Sequence, residues 1–253
     1  MNNSIVSLKQ CICLLTGLTF LFFLNSCNAE EEFNCIIDSS VLSEKTIQLE
    51  SFERIGIYIA SNITLKQGEE SRITLKGNSA LVDSLYTSVE NNRLIVELQS
   101  PYCVPSDILE ITITTPKIKE LLLSEKSHAV LEDFENQKNL KIQINNSSIV
   151  DLNQFEGLNG LAISLQEGAK LISHKKILNV ELLKVDIKGA GSIKGYPIVA
   201  HNVEINIEGK GNCEVTALNR LDVDIVGNAT VYCSGTPTIH KRITGKGNVY
   251  FTN

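Results

Sequence analysis

A pattern that recurs about every twenty residues fills the second half of the chain, from Ile118 onward. Each copy has alternating apolar residues, a tight polar or glycine turn, and two more alternating apolar residues. The clearest copies read LKVDIKGAGSIKG, NVEINIEGKGNCEV, LDVDIVGNATVYC and RITGKGNVYF. The apolar positions recur with period two, which is typical of β-strands, whose successive side chains point to opposite faces.

Equivalent positions of successive copies carry the same type of residue. The second residue before each turn is aliphatic in every copy: Leu123, Ile144, Leu165, Ile187, Ile207, Ile225 and Ile243. A single copy cannot bury its own apolar face, whereas stacked copies share one continuous core. We therefore predict an all-β fold in which residues 118–253 form a parallel β-helix, or β-solenoid, of about seven coils of about twenty residues. An antiparallel sandwich of hairpins is the alternative, because Gly-x-Gly also makes hairpin turns.

Residues 45–117 contain alternating stretches of another kind, among them RIGIYIAS, SRITLKGN and ILEITITTP, with polar turns between them. These are strand signals. The first coil of a solenoid needs a cover, because an open end exposes the core and unpaired strand edges. We expect this N-terminal β-rich half to cap the stack or to continue it.

The beginning of the chain has the features of an export signal. Lys9 is the one charged side chain among residues 1–26, and the apolar run CICLLTGLTFLFFL follows it. At about 1.5 Å per residue this run is too short for the ~30 Å core of a bilayer, which favours a secretory signal peptide. The next residues, LNSC ending at Cys27, resemble a bacterial lipobox, which implies removal of residues 1–26 and a lipid on Cys27. An ordinary signal peptide and an uncleaved anchor are the alternatives.

A lipid anchor on Cys27 would tie the protein to a membrane. Three acyl chains hold a protein almost permanently, whereas a single chain binds only marginally. The acidic cluster Glu30–Glu32 resembles the surface-export signal of lipoproteins from Bacteroidetes-type bacteria, with a solvated tether as the alternative interpretation. We expect residues 27–44 to be a tether and the protein to be lipid-anchored in the outer membrane, exposed at the cell surface.

Composition and residue spacing argue against several classes of function. The chain has 29 acidic and 23 basic side chains, a net charge of −6, which argues against a nucleic-acid partner, since phosphate binding needs a concentrated basic surface. Of the four histidines, only His201 and His240 share roughly one edge of the predicted stack, and zinc needs three or four converging ligands. The four cysteines left after signal removal and lipidation form no C-x-x-C pair: Cys35, Cys103, Cys213 and Cys233. We therefore predict no metal site and no cofactor.

The outward positions of the later coils place four carboxylates on one patch: Asp186, Glu204, Asp222 and Asp224. Adjacent carboxylates could perform acid/base glycoside chemistry or hold Ca²⁺. Basic residues such as Lys184 and Arg242 are interleaved with them, as on an ordinary solvated face, and no aromatic platform accompanies them. We interpret the patch as a candidate ligand face and predict no catalytic residues.

The order of segments in this chain resembles a known family. An export signal with LNSC comes first, then FERIGIYIASNITLKQGEESRITLKGN, SLYTSVENNRLIVELQ and ITITTPKIKELLLSEKSHAVL, and finally the glycine turns in VDIKGAGS, INIEGKGN, DIVGNAT and ITGKGNVY. This order is similar to the "putative auto-transporter adhesin head GIN domain" family over about residues 45–251. The resemblance implies an all-β repeat fold on exported, often lipid-anchored proteins, and it brings no catalytic residues.

Our leading hypothesis is a non-enzymatic cell-envelope lipoprotein whose β-solenoid displays an adhesive surface for a glycan or a protein. A polysaccharide-active enzyme that uses the acidic face is the first alternative. A structural or envelope-stress component of the periplasm is the second. The ligand, the oligomeric state and the handedness of the coil do not follow from the sequence.

Overall fold

The computed structural model describes residues 41–99 and 109–252. The predicted signal peptide, the predicted lipid acceptor Cys27, most of the predicted tether, Cys35 and Cys103 lie outside the described residues. The predicted end of the tether at residue 44 is wrong, because residues 42–44 already pair within the first strand. Nineteen strands and one short helix make up the described part. None of its helical structure has the length and hydrophobicity needed to cross a membrane.

The first described segment, residues 41–99, contains six strands and the helix. The strands are β1 (Leu42–Gln48), β2 (Arg54–Ile57), β3 (Asn62–Gln67), β4 (Arg72–Asn78), β5 (Leu85–Glu90) and β6 (Arg93–Leu98). The helix α1 (Ser79–Asp83) joins β4 to β5.

The second segment, residues 109–252, contains strands only. Short strands come first: β7 (Glu110–Thr115), β8 (Glu120–Leu123), β9 (His128–Leu131), β10 (Asn139–Ile144), β11 (Ile149–Leu152), β12 (Gly160–Gln166) and β13 (Lys170–Ser173). Three long strands follow: β14 (Ile177–Gly189), β15 (Ser192–Gly209) and β16 (Asn212–Gly227). Three shorter ones come last: β17 (Thr230–Ser234), β18 (Thr238–Gly245) and β19 (Asn248–Thr252).

The strands before the turns stack in parallel, and equivalent apolar residues lie in register. Ile187 on β14 lies opposite Ile207 on β15, which lies opposite Ile225 on β16, and each is at most 1% exposed. The strands after the turns also pair in parallel and in register. They form a second stack that runs from β9 through β11, β13, β15, β16 and β17 to β19. The prediction of a parallel β-solenoid is confirmed, and the antiparallel sandwich is wrong for this half of the chain.

The glycine turns also stack directly on one another. Gly189, Gly209, Gly227 and Gly245 are in register, and the amide of Asn228 donates to the carbonyl of Gly209 at 2.8 Å. Gly227 has a φ of 129°, and a Cβ there would collide with the carbonyl oxygen of Gly209. The turns of the earlier coils have other residues in the left-handed region, such as Asn146 with a φ of 51°. Asparagine tolerates this region better than most residues.

The N-terminal half contributes coils to the same stack, in an order that differs from the chain order. Strand β2 pairs in parallel with β8 on one side and with β6 on the other. Strand β3 pairs in the same way with β9 and β7. The coil made by β6 and β7 therefore lies beneath the coil made by β2 and β3, although it comes later in the sequence.

Antiparallel strands border this end of the stack. Strand β5 pairs antiparallel with β6, and β4 pairs antiparallel with β7 and with β1. Helix α1 connects β4 to β5 and buries Leu81 and Val82 in the core. The side chain of Asn78 accepts a hydrogen bond from the amide of Leu81 and caps the helix. The connection thus adds apolar side chains to the end of the core.

The other end of the stack is formed by β18 and β19. Among the described residues these strands pair on one side only, with β16 and β17. The inward residues Ile243 and Val249 are only partly buried. Lys241 lies opposite Val223, at a position that carries aliphatic residues in the preceding coils. A charge on a terminal strand disfavours pairing with a further strand.

The interior columns should dominate the stability of the protein. Replacing Ile207, which is buried between Ile187 and Ile225, by alanine removes apolar contacts and leaves a cavity. We expect Ile207→Ala to lower the free energy of unfolding by about 2–5 kcal/mol, measured by urea denaturation. Glu208→Ala, at the exposed neighbouring position, is the control and should change it by less than about 0.5 kcal/mol. Equal effects of the two substitutions would contradict the assignment of the core.

Candidate functional site

The four carboxylates of the candidate ligand face lie on neighbouring strands of one outer face. Glu204 on β15 lies opposite Asp222 on β16. Asp186 on β14 lies opposite Asn206, which in turn lies opposite Asp224. A depression of about 400 Å³ on this face is lined by Glu204, Asp222, Asp224 and three basic side chains: His240, Lys241 and Arg242.

Each of these carboxylates has a polar partner on the same face. Glu204 pairs with Lys184 at 2.9 Å, and Asp186 accepts a hydrogen bond from the side-chain amide of Asn206 at 3.0 Å. Asp222 and Asp224 pair with basic side chains: Arg220 at 2.8 Å and His240 at 3.3 Å for Asp222, and Arg242 for Asp224. The face is therefore a network of alternating charges.

This pairing does not favour acid/base catalysis. Hydrogen bonds from the Arg242 guanidinium hold the pKa of Asp224 below its usual value. A glycosidase needs one carboxyl group that stays protonated, which requires a raised pKa. The geometry instead provides paired charges on a surface that a ligand could contact.

Two histidines meet on one aspartate, an arrangement that our sequence analysis missed. His128 Nε2 lies 2.7 Å from one carboxylate oxygen of Asp151, and His174 Nε2 lies 3.0 Å from the other. Because an ionised carboxylate only accepts hydrogen bonds, both Nε2 atoms are the donors. Our expectation that only His201 and His240 share an edge is therefore wrong. His128, Asp151 and His174 follow the turns of three successive coils by three, five and seven residues. Because each lies two positions further from its turn than the one before, the three side chains meet diagonally across the coils.

The electrostatics of this cluster are those of a stabilised anion. Burial of Asp151 acts to raise its pKa, but the hydrogen bonds from His174 and His128 outweigh burial, and the pKa lies below the usual value. Over residues 41–99 and 109–252, no group of three His, Cys, Asp or Glu side chains is placed to hold a metal ion. The cluster is thus a hydrogen-bonded link between three coils.

The two described cysteines belong to the core. Cys213 and Cys233 are buried and free, at inward positions of neighbouring coils. Burial raises the pKa of the Cys213 thiol. A buried thiol of raised pKa is a poor nucleophile and behaves as a small apolar group.

A second surface feature, which the sequence analysis did not single out, is a groove rich in lysine. It has a volume of about 550 Å³ and crosses the residues just before β8, the first residues of β10 and β12, and the middle of β14. Five lysines from three segments of the chain line it: Lys117, Lys119, Lys138, Lys141 and Lys184. Glu53 is the one acidic residue of the lining. We call this feature the lysine groove.

The Asp151 cluster should make stability depend on pH. Because the pKa of Asp151 is lowered on folding, its contribution is present above the unfolded pKa of about 3.9 and is lost as the pH falls through the folded pKa. We expect the difference in Tm between the wild-type chain and Asp151→Asn to be larger at pH 6 than at pH 2.5. Asp83→Asn, at an exposed site, is the control. A difference that does not change with pH would contradict this assignment.

Several solved protein structures are similar to the fold of this chain. No curated protein matches the sequence. A crystal structure of a "putative adhesin" from Bacteroides fragilis has a TM-score of 0.75 and 20% identity, and the match covers 84% of this chain and 97% of that one. A "putative lipid binding protein" from Parabacteroides distasonis gives 0.69 and 18%, covering 85% and 98%. A "putative adhesin" from Parabacteroides merdae gives 0.65 and 18%, covering 85% and 97%.

These similarities show that the fold of this chain is that of the three solved proteins. The identities are too low to transfer any ligand. The sequence model of the family described as "Putative auto-transporter adhesin, head GIN domain" matches residues 51–237. Because this match spans well over half of the sequence, the chain belongs to the putative auto-transporter adhesin, head GIN domain, family.

Proposed function

We propose that this protein is a lipid-anchored, non-enzymatic adhesion module of the cell envelope, which binds a glycan or protein ligand on the outer faces of its solenoid. The observation that carries the proposal is that the side chains of each strand alternate between the core and the outer surface. Inward side chains fill a continuous aliphatic core, and the outward side chains of neighbouring coils form extended faces of fixed spacing. Such a scaffold suits the display of a binding surface.

The family supports an adhesive function of this kind. Its description names an adhesin, and an adhesin acts where a cell meets its surroundings, at the cell surface or envelope. The pairing of Asp222 and Asp224 with Arg220 and Arg242 also argues against the rival hypothesis of a polysaccharide-cleaving enzyme, since it favours the ionised form of Asp224. The acidic face therefore serves better as a contact surface than as a reaction centre.

The anchor is supported by the N-terminal sequence. The short apolar run and the LNSC segment that ends at Cys27 resemble a lipoprotein signal. In this proposal the acyl chains on Cys27 hold the protein on the membrane, and the residues between Cys27 and the start of β1 at Leu42 link the solenoid to it.

The anchor is tested by substitution of Cys27 in a bacterium that processes lipoproteins. We expect the wild-type chain to incorporate radiolabelled palmitate and to fractionate with membranes, and Cys27→Ala to do neither, because the acceptor thiol is missing. Cys35→Ala is the matched control and should behave like the wild type. Protease treatment of intact cells then reports the location, since a surface-exposed chain is degraded and a periplasmic chain is protected. Palmitate labelling of Cys27→Ala would contradict the anchor.

Adhesion is tested with the full chain, purified in a non-ionic detergent, on an array of glycans and extracellular-matrix proteins. We expect retention of at least one class of ligand and no cleavage of any glycan. The double variant Asp222→Asn with Asp224→Asn separates this proposal from the enzyme hypothesis. Glycan cleavage that this variant loses would overturn the non-enzymatic assignment, and a chain that binds nothing on the array would overturn the adhesive one.

A further inference from the structure

We propose that the lysine groove is a binding site for an acidic polysaccharide whose carboxylate or sulfate groups are spaced along the chain. This inference rests on the proposed adhesive function and assigns it to a particular surface and ligand class.

The floor of the groove is kept open by two small residues of β12. Gly160 lies between Asn139 and Leu182 of the neighbouring strands, and Ala162 lies between Lys141 and Lys184. A Cβ on Gly160 would come within 2.7 Å of the Asn139 side-chain oxygen. Larger residues at these two positions would occupy the space between the lysines. The small side chains therefore create the concavity.

The charge of the groove is opposite to that of the chain as a whole. The protein has a net charge of −6, yet five of its lysines line this one groove against a single carboxylate, Glu53. Three of the lysines are paired with acidic residues: Lys119 with Glu53 at 2.5 Å, Lys141 with Glu120 at 3.3 Å and Lys184 with Glu204 at 2.9 Å. Those acids offset the charge of these three lysines, so the excess positive charge of the groove comes from the other two, Lys117 and Lys138.

The remaining groups are available to a ligand. Within residues 41–99 and 109–252, Lys117 and Lys138 form no ion pair, and both are exposed. The side chains of Asn136 and Asn139 are also exposed along the groove, and their amides can donate to or accept from hydroxyl groups. The groove thus offers ammonium groups for anions beside amides for sugar hydroxyls.

The dimensions favour an extended chain over a single small anion. Lys141 and Lys184 lie two strands apart in the parallel stack, a separation of about 10 Å. A lysine ammonium is a compact point charge, which accepts carboxylate or sulfate groups in varied orientations. The lining contains no aromatic side chain, so recognition would be ionic and hydrogen-bonded.

The surrounding acids select against densely charged polymers. Double-stranded DNA carries one negative charge per about 1.7 Å of axis, and such a polyanion would meet Glu53, Glu120 and Glu204 as well as the lysines. A polysaccharide with one acidic group per one or two sugars can place its charges on the lysines and its neutral parts beside the acids. Charge spacing therefore favours the polysaccharide.

Binding is measured with the full chain in non-ionic detergent, by biolayer interferometry against immobilised hyaluronan and polygalacturonate. Neutral dextran is the negative probe. We expect binding to at least one acidic polysaccharide, none to dextran, and an affinity that falls with added salt because the charges are screened. The charge-reversal pair Lys117→Glu with Lys138→Glu should weaken this binding about tenfold or more.

Two matched controls distinguish a site from general attraction. Lys210→Glu with Lys246→Glu changes the net charge by the same amount at exposed turn positions outside the groove and should leave the affinity within about twofold of the wild type. Ala162→Leu fills the groove and keeps every lysine, so it should also weaken binding about tenfold. Ser164→Leu, two residues along the same outer face, is its control. Unchanged circular dichroism and Tm show that each variant is folded.

The outcomes are separable from those of the proposed function. Loss of binding in the groove variants, with binding retained in both controls, supports the lysine groove as the site. Equal loss in groove and control variants, or no loss in either, overturns it, as does binding only to double-stranded DNA or to vesicles containing phosphatidylglycerol. If the chain binds ligands on the array and the double variant Lys117→Glu with Lys138→Glu binds them equally well, the proposed adhesive function stands. In that case only the assignment of the lysine groove as the binding site is refuted.

Discussion

Parallel stacking in register is the constraint on which the rest of the structure depends. Because each strand hydrogen-bonds to the equivalent strand of the next coil, a residue meets its counterparts from the coils above and below. On the inside this produces continuous columns such as Ile187, Ile207 and Ile225. On the outside it brings Glu204 beside Asp222, and Lys141 and Lys184 to the two sides of Ala162.

The same constraint explains the chemistry of the turns and ends. Coils that stack at the distance between hydrogen-bonded strands bring the backbones of successive turns into contact, so Gly227 must lack a side chain above Gly209. The ends lack one neighbour and need other solutions. At one end α1 and the antiparallel strands border the core, and at the other Lys241 puts a charge where the inner coils have aliphatic residues.

The predictions from sequence succeeded in the half of the chain where every repeat carries the same pattern. Apolar residues alternate with period two in each repeat of about twenty residues. This pattern alone predicts the inward columns and favours the parallel stack. The order of the N-terminal coils was beyond this reasoning, because the pairing of β2 with both β6 and β8 joins segments that share no repeat. The link from His128 through Asp151 to His174 was missed because it runs diagonally across the columns.

By itself, the sequence determined the all-β class, the membership of the inward columns and the patch that holds the acidic residues, and it favoured a parallel stack over an antiparallel sandwich. It could do so because strand periodicity and repeat length are local properties of the chain. The tertiary structure alone decided which charges are paired and where a concave surface lies. The lysine groove depends on Lys117 and Lys138, which lie outside the strands, and on the small side chains of Gly160 and Ala162 in the strand between β10 and β14. Concavity arises from differences between neighbouring coils, and only the folded chain brings those neighbours together.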